Sequence, residues 1–477
     1  MDRSIDRDIS SRYRLRYIVG LTLNTTEQIP ISLTNIWFCL INFLQLTHQA
    51  YARQLRPQNK SIYQMIYFVR LRKGHMFPKI KNRDLFFARA YYFAFMGGWG
   101  FILPFINLFY VSLGLSGTQI GTIGSVSSTV GLIVSPIIVS EIKKRPQARG
   151  ILQGSLILGA IVYFLLGQQT AFLPIILIIF LQSLVGAGVM PASDAMAVHV
   201  SEEAGTGYGS VRVWASVGWI ITVLSSGWLI ERKGFQAGFL GVSLMWLLAA
   251  LLTLLIQSRY FISPNFAEKH KSNLRTALKH ITNDRTLIGY GIAVIFIGFL
   301  NNGVLQFENV FLSELGASKQ LISVAGILSA IVELPFMIIA DRYVRRLGAH
   351  RVLLFAVTMT LFQRAAVLLF PSIATIMIVR FIGGVAFSCL TIASVFLISS
   401  RTNPNETGTV LAIYTVTLSG LVSVLAAPVA GAIFDAIGAR WLYALATTGY
   451  AMGLLSLWIT RPEPGPMSVA SKAQRFD

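Results

Sequence analysis

SRYFISPNFAEKHKSNLRTALKHITNDR, residues 258–285, is the stretch from which the rest of the chain is read. Arg259, Lys269, Lys271, Arg275, Lys279 and Arg285 stand there against only Glu268 and Asp284. Hydrocarbon does not accept that charge density, and an excess of cations between apolar flanks marks a cytoplasmic connector. Phe266, Leu274, Leu278 and Ile281 give part of it one apolar helical side, so two readings stand: a helix on the membrane surface or a solvated linker.

The flanks of this connector repeat each other, and a repeat is tested before any other fold assignment. Phe105, Asn107, Phe109, Leu113 and Gly114 return as Phe307, Asn309, Phe311, Leu315 and Gly316, an offset of 202. Gly209 and Val211 return as Gly408 and Val410. GWLIERKG, from Gly227 to Gly234, returns as GAIFDAIG, from Gly431 to Gly438, with both glycines and the acid kept. Three echoes in one order at offsets of 199 to 204 imply a duplication. One bundle is built twice about a central connector.

Composition sets the medium. The 477 residues are 54% hydrophobic and 13% charged, against roughly 25% charged in soluble domains. Mean hydropathy is +0.64. A net charge of +20 belongs to loops, because a basic nucleic-acid-binding domain would not contain a dozen apolar runs. Cys39 and Cys389 make no disulfide framework or zinc spacing, the six histidines are scattered, and no cofactor is expected. No usable nucleophile or acid/base pair points to an enzyme, and no GxxxxGK[ST] points to an ATP-driven motor.

The expected organisation is a basic extension over residues 1–80, six helices over 81–257, the connector 258–285, six helices over 286–460, and a tail 461–477. The extension's one apolar stretch, Ile31 to Leu46, falls short of the roughly 20 residues a span needs, and Met76 directly precedes the first span as a candidate natural start. The fold class is an all-α membrane protein of twelve transmembrane helices in two six-helix bundles. Loop charge puts Lys143, Lys144, Arg145 and Arg149, the connector, and Arg342, Arg345, Arg346 and Arg351 on the cytoplasmic side with both termini. Six spans per half in one orientation give parallel repeats related by an axis along the membrane normal.

From about Leu85 to Thr460 the chain resembles the major facilitator superfamily. The carriers are Glu333, Pro335, Ala340, Asp341, Arg342, Arg345, Arg346 and Gly348 in ELPFMIIADRYVRRLG, which match the superfamily's cytoplasmic signature after the eighth span. The first-half version, SPIIVSEIKKRPQARG, keeps Pro136, Glu141, Lys143, Lys144 and Arg145 but lacks the usual Asp and glycine. PASDAMA (Pro191 to Ala197) and YGSVRVWASVGW (Tyr208 to Trp219) are similar to the branch containing lactose permease-like, nucleoside and 3-phenylpropionate proton symporters. The resemblance implies alternating access by a membrane protein of the cell's inner membrane, with spans one, four, seven and ten lining a central cavity. It also assigns Asp341, Arg342, Arg345 and Arg346 to a cytoplasmic gate loop.

Ionised side chains inside spans cost roughly 2.5–3.5 kcal/mol on insertion scales, so those that remain are functional candidates. Asp194 and Arg212 sit near the cytoplasmic ends of spans four and five, where a pair forms easily, either as a solute or gate contact or as a structural staple. Glu333 of span eight and Arg364 of span nine are the expected pair for proton coupling, with Gln363 beside them. Arg380 of span ten and Glu308 of span seven are expected to face each other, and Asn301, Asn302 and Gln306 to serve the same cavity. Tyr91, Tyr92, Phe95 and Trp99 form an aromatic stripe on span one, read as core or lipid-facing before ligand platform. The expected function is secondary transport of a small polar or anionic organic solute by a monomer in the lipid bilayer, with proton symport as its coupling. An efflux antiporter is the alternative within the class, and a solute-sensing receptor the alternative outside it.

Overall fold

The computed structural model describes residues 83–144, 149–261 and 274–461. The basic extension before residue 83 with its Met76 start, Phe266 and Lys269, and the tail from residue 462 lie outside the described residues. So do the side chains of Glu141, Lys143, Lys144 and Arg145 in the first-half signature. Among the described residues there is no strand, and twelve helices are long and apolar enough to cross a bilayer.

In the first half these are span one (Arg83–Gly100, a turn at Leu103–Phe105, then Ile106–Ser112), two (Gly117–Lys144) and three (Arg149–Leu166). Span four is Phe172–Gly186 continued by Val189–Glu203, span five Gly209–Lys233 and span six Phe235–Leu255. After a short connector helix, Leu274–Asn283, come spans seven (Arg285–Glu314), eight (Lys319–Leu347), nine (Ala349–Leu369) and ten (Ile373–Ser399). Span eleven is Pro404–Ala412, a π turn over Ile413–Leu418 and Ser419–Ile437, and span twelve is Ala439–Ile459. Pro104 accounts for the break in span one, since it has no N–H for the helical ladder.

The buried side chains form one cluster that runs through the first half and on into the second, and another within the second half alone. In the first half, Trp246 of span six is fully buried and packs against Phe95, Trp99 and Tyr163 with ring centroids 5.3 to 5.9 Å apart. In the second half, span seven lies along spans eleven and twelve, and span ten along eight and nine. Large apolar side chains such as Leu177, Leu251, Phe362 and Leu425 remain exposed, as a lipid-facing surface requires.

The halves meet along two pairings, span two with span eleven and span five with span eight. Exchanging the halves turns one pairing into the other. Every residue kept in the third echo has a task, in these contacts or in the turn that follows. A Cβ at Gly431 would stand 2.0 Å from the Gly117 carbonyl oxygen, and one at Gly227 2.1 Å from Ser323 Oγ; only a bare backbone allows these helices to approach so closely. Gly234 and Gly438 take φ of 81° and 84°, which lets span six follow five, and twelve follow eleven, across a single residue.

Span eight runs on to Leu347 and span nine begins at Ala349. The expected loop after about residue 340 is therefore helical. Nothing from Asp341 to Leu347 breaks a helix, and Gly348 alone makes the turn.

Candidate functional site

Two faces are defined by the chain itself: the connector side, where the Leu274–Asn283 helix lies, and the far side. The far side is closed by reciprocal hydrogen bonds. Asn107 Nδ2 donates to the Gln306 carbonyl at 2.7 Å, and Asn309 Nδ2 donates to the Pro104 carbonyl at 2.8 Å. Donors and acceptors are both related by the offset of 202 found in the sequence, so this contact is two-fold in the manner of a symmetric dimer.

The acids kept in the third echo complete the closure. Asp435, at the far end of span eleven, accepts from the Gly117 and Thr118 amides at 2.5 and 2.8 Å and from Thr118 Oγ1 at 2.7 Å. Glu231, at the far end of span five, accepts from the Lys319 amide at 2.6 Å. Each acid thus caps the exposed N–H groups of a helix in the other half, where the helix dipole favours negative charge. Deeper, Ser125 Oγ donates to the Val424 carbonyl at 2.6 Å.

The strongest concentration of charge lies inside the second bundle. Glu308 stands between two guanidiniums, with Arg380 Nη2 3.3 Å from Oε2 and Arg364 Nη1 3.9 Å from Oε1. All three side chains are only 13 to 16% exposed. Arg380 also donates to Asn309 Oδ1 at 2.6 Å, which ties the cluster to the far-side closure. Glu308 Oε1, Arg364 Nε, Gln363 Nε2, Asn301 Oδ1 and the Tyr443 hydroxyl are buried without a hydrogen-bond partner. One carboxylate between two guanidiniums leaves a net positive charge and open donors, a setting that can hold an acidic group by paired hydrogen bonds.

The expected Glu308–Arg380 pairing is present, but Arg364 joins Glu308 and not Glu333. The reason is depth. At 1.5 Å per residue, Arg364 lies about 8 Å from the far end of span nine, whereas Glu333 lies about 21 Å from the far end of span eight. Glu333 is half-buried, and among the described residues no ion pair reaches its carboxylate. Only its backbone is engaged: its carbonyl accepts from Ser388 Oγ at 3.0 Å, and its amide lies where span ten passes close at Gly384.

Asn301 and Asn302 are buried in span seven, and Gln306 Nε2 donates to Asn302 Oδ1 at 2.6 Å. Gln306 also lies beside Gly124 of span two, at the boundary of the halves.

In the first bundle, Asp194 Oδ1 accepts from the Tyr92 hydroxyl at 2.6 Å and the Tyr208 hydroxyl at 2.7 Å. The anticipated pair with Arg212 is absent among the described residues. Two tyrosine hydroxyls satisfy Asp194 Oδ1 in place of a cation, so the carboxylate is held by hydrogen bonds and not by an ion pair. Tyr91, Tyr92 and Phe95 are fully buried, which settles the aromatic stripe as core, and Tyr91 shares a 2.6 Å hydrogen bond with Ser193. The tyrosine partners of Asp194 were missed for want of a pattern: a buried hydroxyl gives no signal in hydropathy.

The charges of the eighth-span signature lie on helix. Arg345 pairs with Asp341 one turn earlier, at 3.0 and 3.3 Å, with its guanidinium over the Phe396 ring. Arg342 and Arg346 flank them on the same turns.

Twelve spans in two like bundles, closed on one side by symmetric contacts, define a membrane transporter of the two-bundle type. The chain belongs to the MFS_1-like family of the major facilitator superfamily, whose family model matches residues 86–445. It is similar to the maltose permease of Geobacillus stearothermophilus, 28% identical over 270 residues, 56% of this chain and 66% of the permease. It is also similar to the uncharacterized transporter YwbF of Bacillus subtilis (strain 168), 23% identical over 369 residues, 77% of this chain and 89% of YwbF. The crystal structure of the nucleoside transporter NupG superposes with a TM-score of 0.70 at 16% identity, over 80% of this chain and all of NupG. The chain is an integral membrane protein and a transporter of small solutes.

Proposed function

We propose that this transporter carries a small polar or anionic organic solute between its two bundles by alternating access, in symport with protons. Glu333 carries the proton, and the Glu308–Arg364–Arg380 cluster recognises the solute's acidic or hydroxylic group together with Asn301, Asn302, Gln306 and Gln363. The connector side faces the cytoplasm. Asp194, Arg212 and the Asp341–Arg346 turns serve the gate on that side.

The observation that supports this most is the contrast between two acids of one bundle. Glu308 is held in ion pairs, whereas the Glu333 carboxylate is without one at mid-depth and can exchange a proton without breaking a pair. The open hydrogen-bond positions around Arg364 and Gln363 support a polar cargo. The far-side closure supports alternating access, because rocking one bundle against the other about a central site would part these contacts and open that side.

Proteoliposomes loaded with a pH-sensitive dye test it, screened with small carboxylates, sugars and nucleosides. One solute class should drive proton entry, and Glu333→Gln should abolish that entry while leaving solute exchange. Proton flux that survives in Glu333→Gln removes Glu333 from the coupling, and solute movement without proton flux removes symport.

A further inference from the structure

The connector helix Leu274–Asn283 carries three strips side by side. Ala277 is fully buried and Ile281 packs with it on the core of the second bundle. Leu274 and Leu278, one turn apart, are 58% and 45% exposed. Arg275 and Lys279, also one turn apart and exposed, come next. At 100° per residue the leucines fall between the buried strip and the basic strip.

This order suits a helix lying at the rim of a membrane bundle, with one side on protein, one in acyl chain and one at the headgroups. The level of the headgroups is marked nearby. Trp458, 58% exposed, carries the Arg461 guanidinium 5.6 Å above its ring, and Arg285 Nη2 donates to the Ile459 carbonyl at 3.0 Å. Exposed tryptophan and arginine at a helix end form an interfacial belt. The connector helix is also fastened to the spans below it. His280 Nδ1 lies 2.8 Å from Glu406 Oε2 at the start of span eleven, and Asp284, which follows, caps span seven and pairs with Arg401 at 3.0 Å.

We propose that this helix is a docking surface for anionic phospholipid. Leu274 and Leu278 enter the acyl boundary, and Arg275 and Lys279 engage the phosphate-bearing headgroups. Because the helix is tied to spans seven and eleven, bound lipid holds the connector-side ends of both spans in place. The proposal is independent of solute and coupling ion.

The full chain with Cys39→Ser and Cys389→Ser would carry an environment-sensitive fluorophore on Leu278→Cys, and in a second variant on Thr276→Cys, which faces away from the leucine strip. Both would be reconstituted in phosphatidylcholine vesicles with and without phosphatidylglycerol. The label at 278 is expected to shift to the blue and to be quenched by nitroxide lipid when phosphatidylglycerol is present, while the label at 276 stays water-like. Lys279→Gln should raise the phosphatidylglycerol content needed for half of the effect about fivefold, and adding Arg275→Gln should raise it by a similar further factor. Far-UV circular dichroism matched to the parent shows that the variants are folded. A water-like label at 278 in both vesicles, equal responses with and without phosphatidylglycerol, or a dependence that Lys279→Gln leaves unchanged overturns the proposal; the last of these would assign the basic strip to a partner other than lipid.

Discussion

Removing the two acids that clasp the far side should open it. Asp435 takes three hydrogen bonds from the start of span two, and Glu231 takes one from the start of span eight. Loss of a helix N-cap costs about 0.5–2 kcal/mol, typically near 1. Asp435 is exposed, which favours the lower half of that range. The two sites share no partner, so their effects add, and Glu231→Ala with Asp435→Ala removes about 2 kcal/mol from the closed form. At 1.4 kcal/mol per factor of ten, the ratio of closed to open molecules falls about 30-fold. Spin labels at Ser112→Cys and Ser313→Cys, exposed at the far ends of spans one and seven, report the distance between the halves by pulsed electron resonance. With Cys39 and Cys389 replaced by serine, the parent should give one short distance and the double variant a second, longer population. Each single variant should give an intermediate share. A folded double variant with the parental distance distribution would show that the clasps do not hold the far side, and that small-residue packing at Gly117, Gly227 and Gly431 suffices alone.

Glu308→Gln leaves two buried guanidiniums without their acid and should cost about 3–5 kcal/mol, read as thermal unfolding in detergent. Glu333→Gln breaks no pair and should stay within about 1 kcal/mol of the parent in the same assay. If the two variants melt alike, the charged cluster is not as the geometry has it. Tyr92→Phe and Tyr208→Phe each remove one donor from the Asp194 carboxylate and should each cost about 1–2 kcal/mol, with the double variant departing from additivity because both donors serve one oxygen. Asp284 is set for a pH test: burial alone would raise its carboxyl, but the Arg401 guanidinium and the amides of Leu287 and Thr286 hold it below its ordinary value. A carboxyl held low contributes stability above its unfolded pKa of about 3.9 and loses it as pH falls through the folded value. The stability gap between parent and Arg401→Gln should thus be full at neutral pH and close as pH falls below about 4; a gap independent of pH would mean the pair contributes nothing.

The fold was legible because lipid imposes a strong rule on sequence. Every span must satisfy its own backbone and face hydrocarbon, so hydropathy alone locates twelve helices. The repeat was equally legible, and three of the pairs it kept have work to do at the junction of the halves: Asn107 with Asn309, Glu231 with Asp435, Gly227 with Gly431. Helix ends were less so. The charge density of Asp341–Leu347 suits a loop, yet no residue before Gly348 interrupts a helix.

Among the candidate site residues, Glu308 and Arg380 were joined correctly from the sequence. Arg364 was assigned to the wrong acid, and Asp194 to a cation when two tyrosines hold it. Sequence fixes the depth of a residue only as well as it fixes the end of its helix, and it carries no record of which helix lies alongside. Composition, spacing and repetition by themselves determined the medium, the number of spans, the duplication and the list of ionisable residues that hydrocarbon makes costly to keep. Which of those residues meet was decided by tertiary structure alone, because a side-chain pair depends on matched depth and facing azimuth of two helices, and both are set by packing across the bundle.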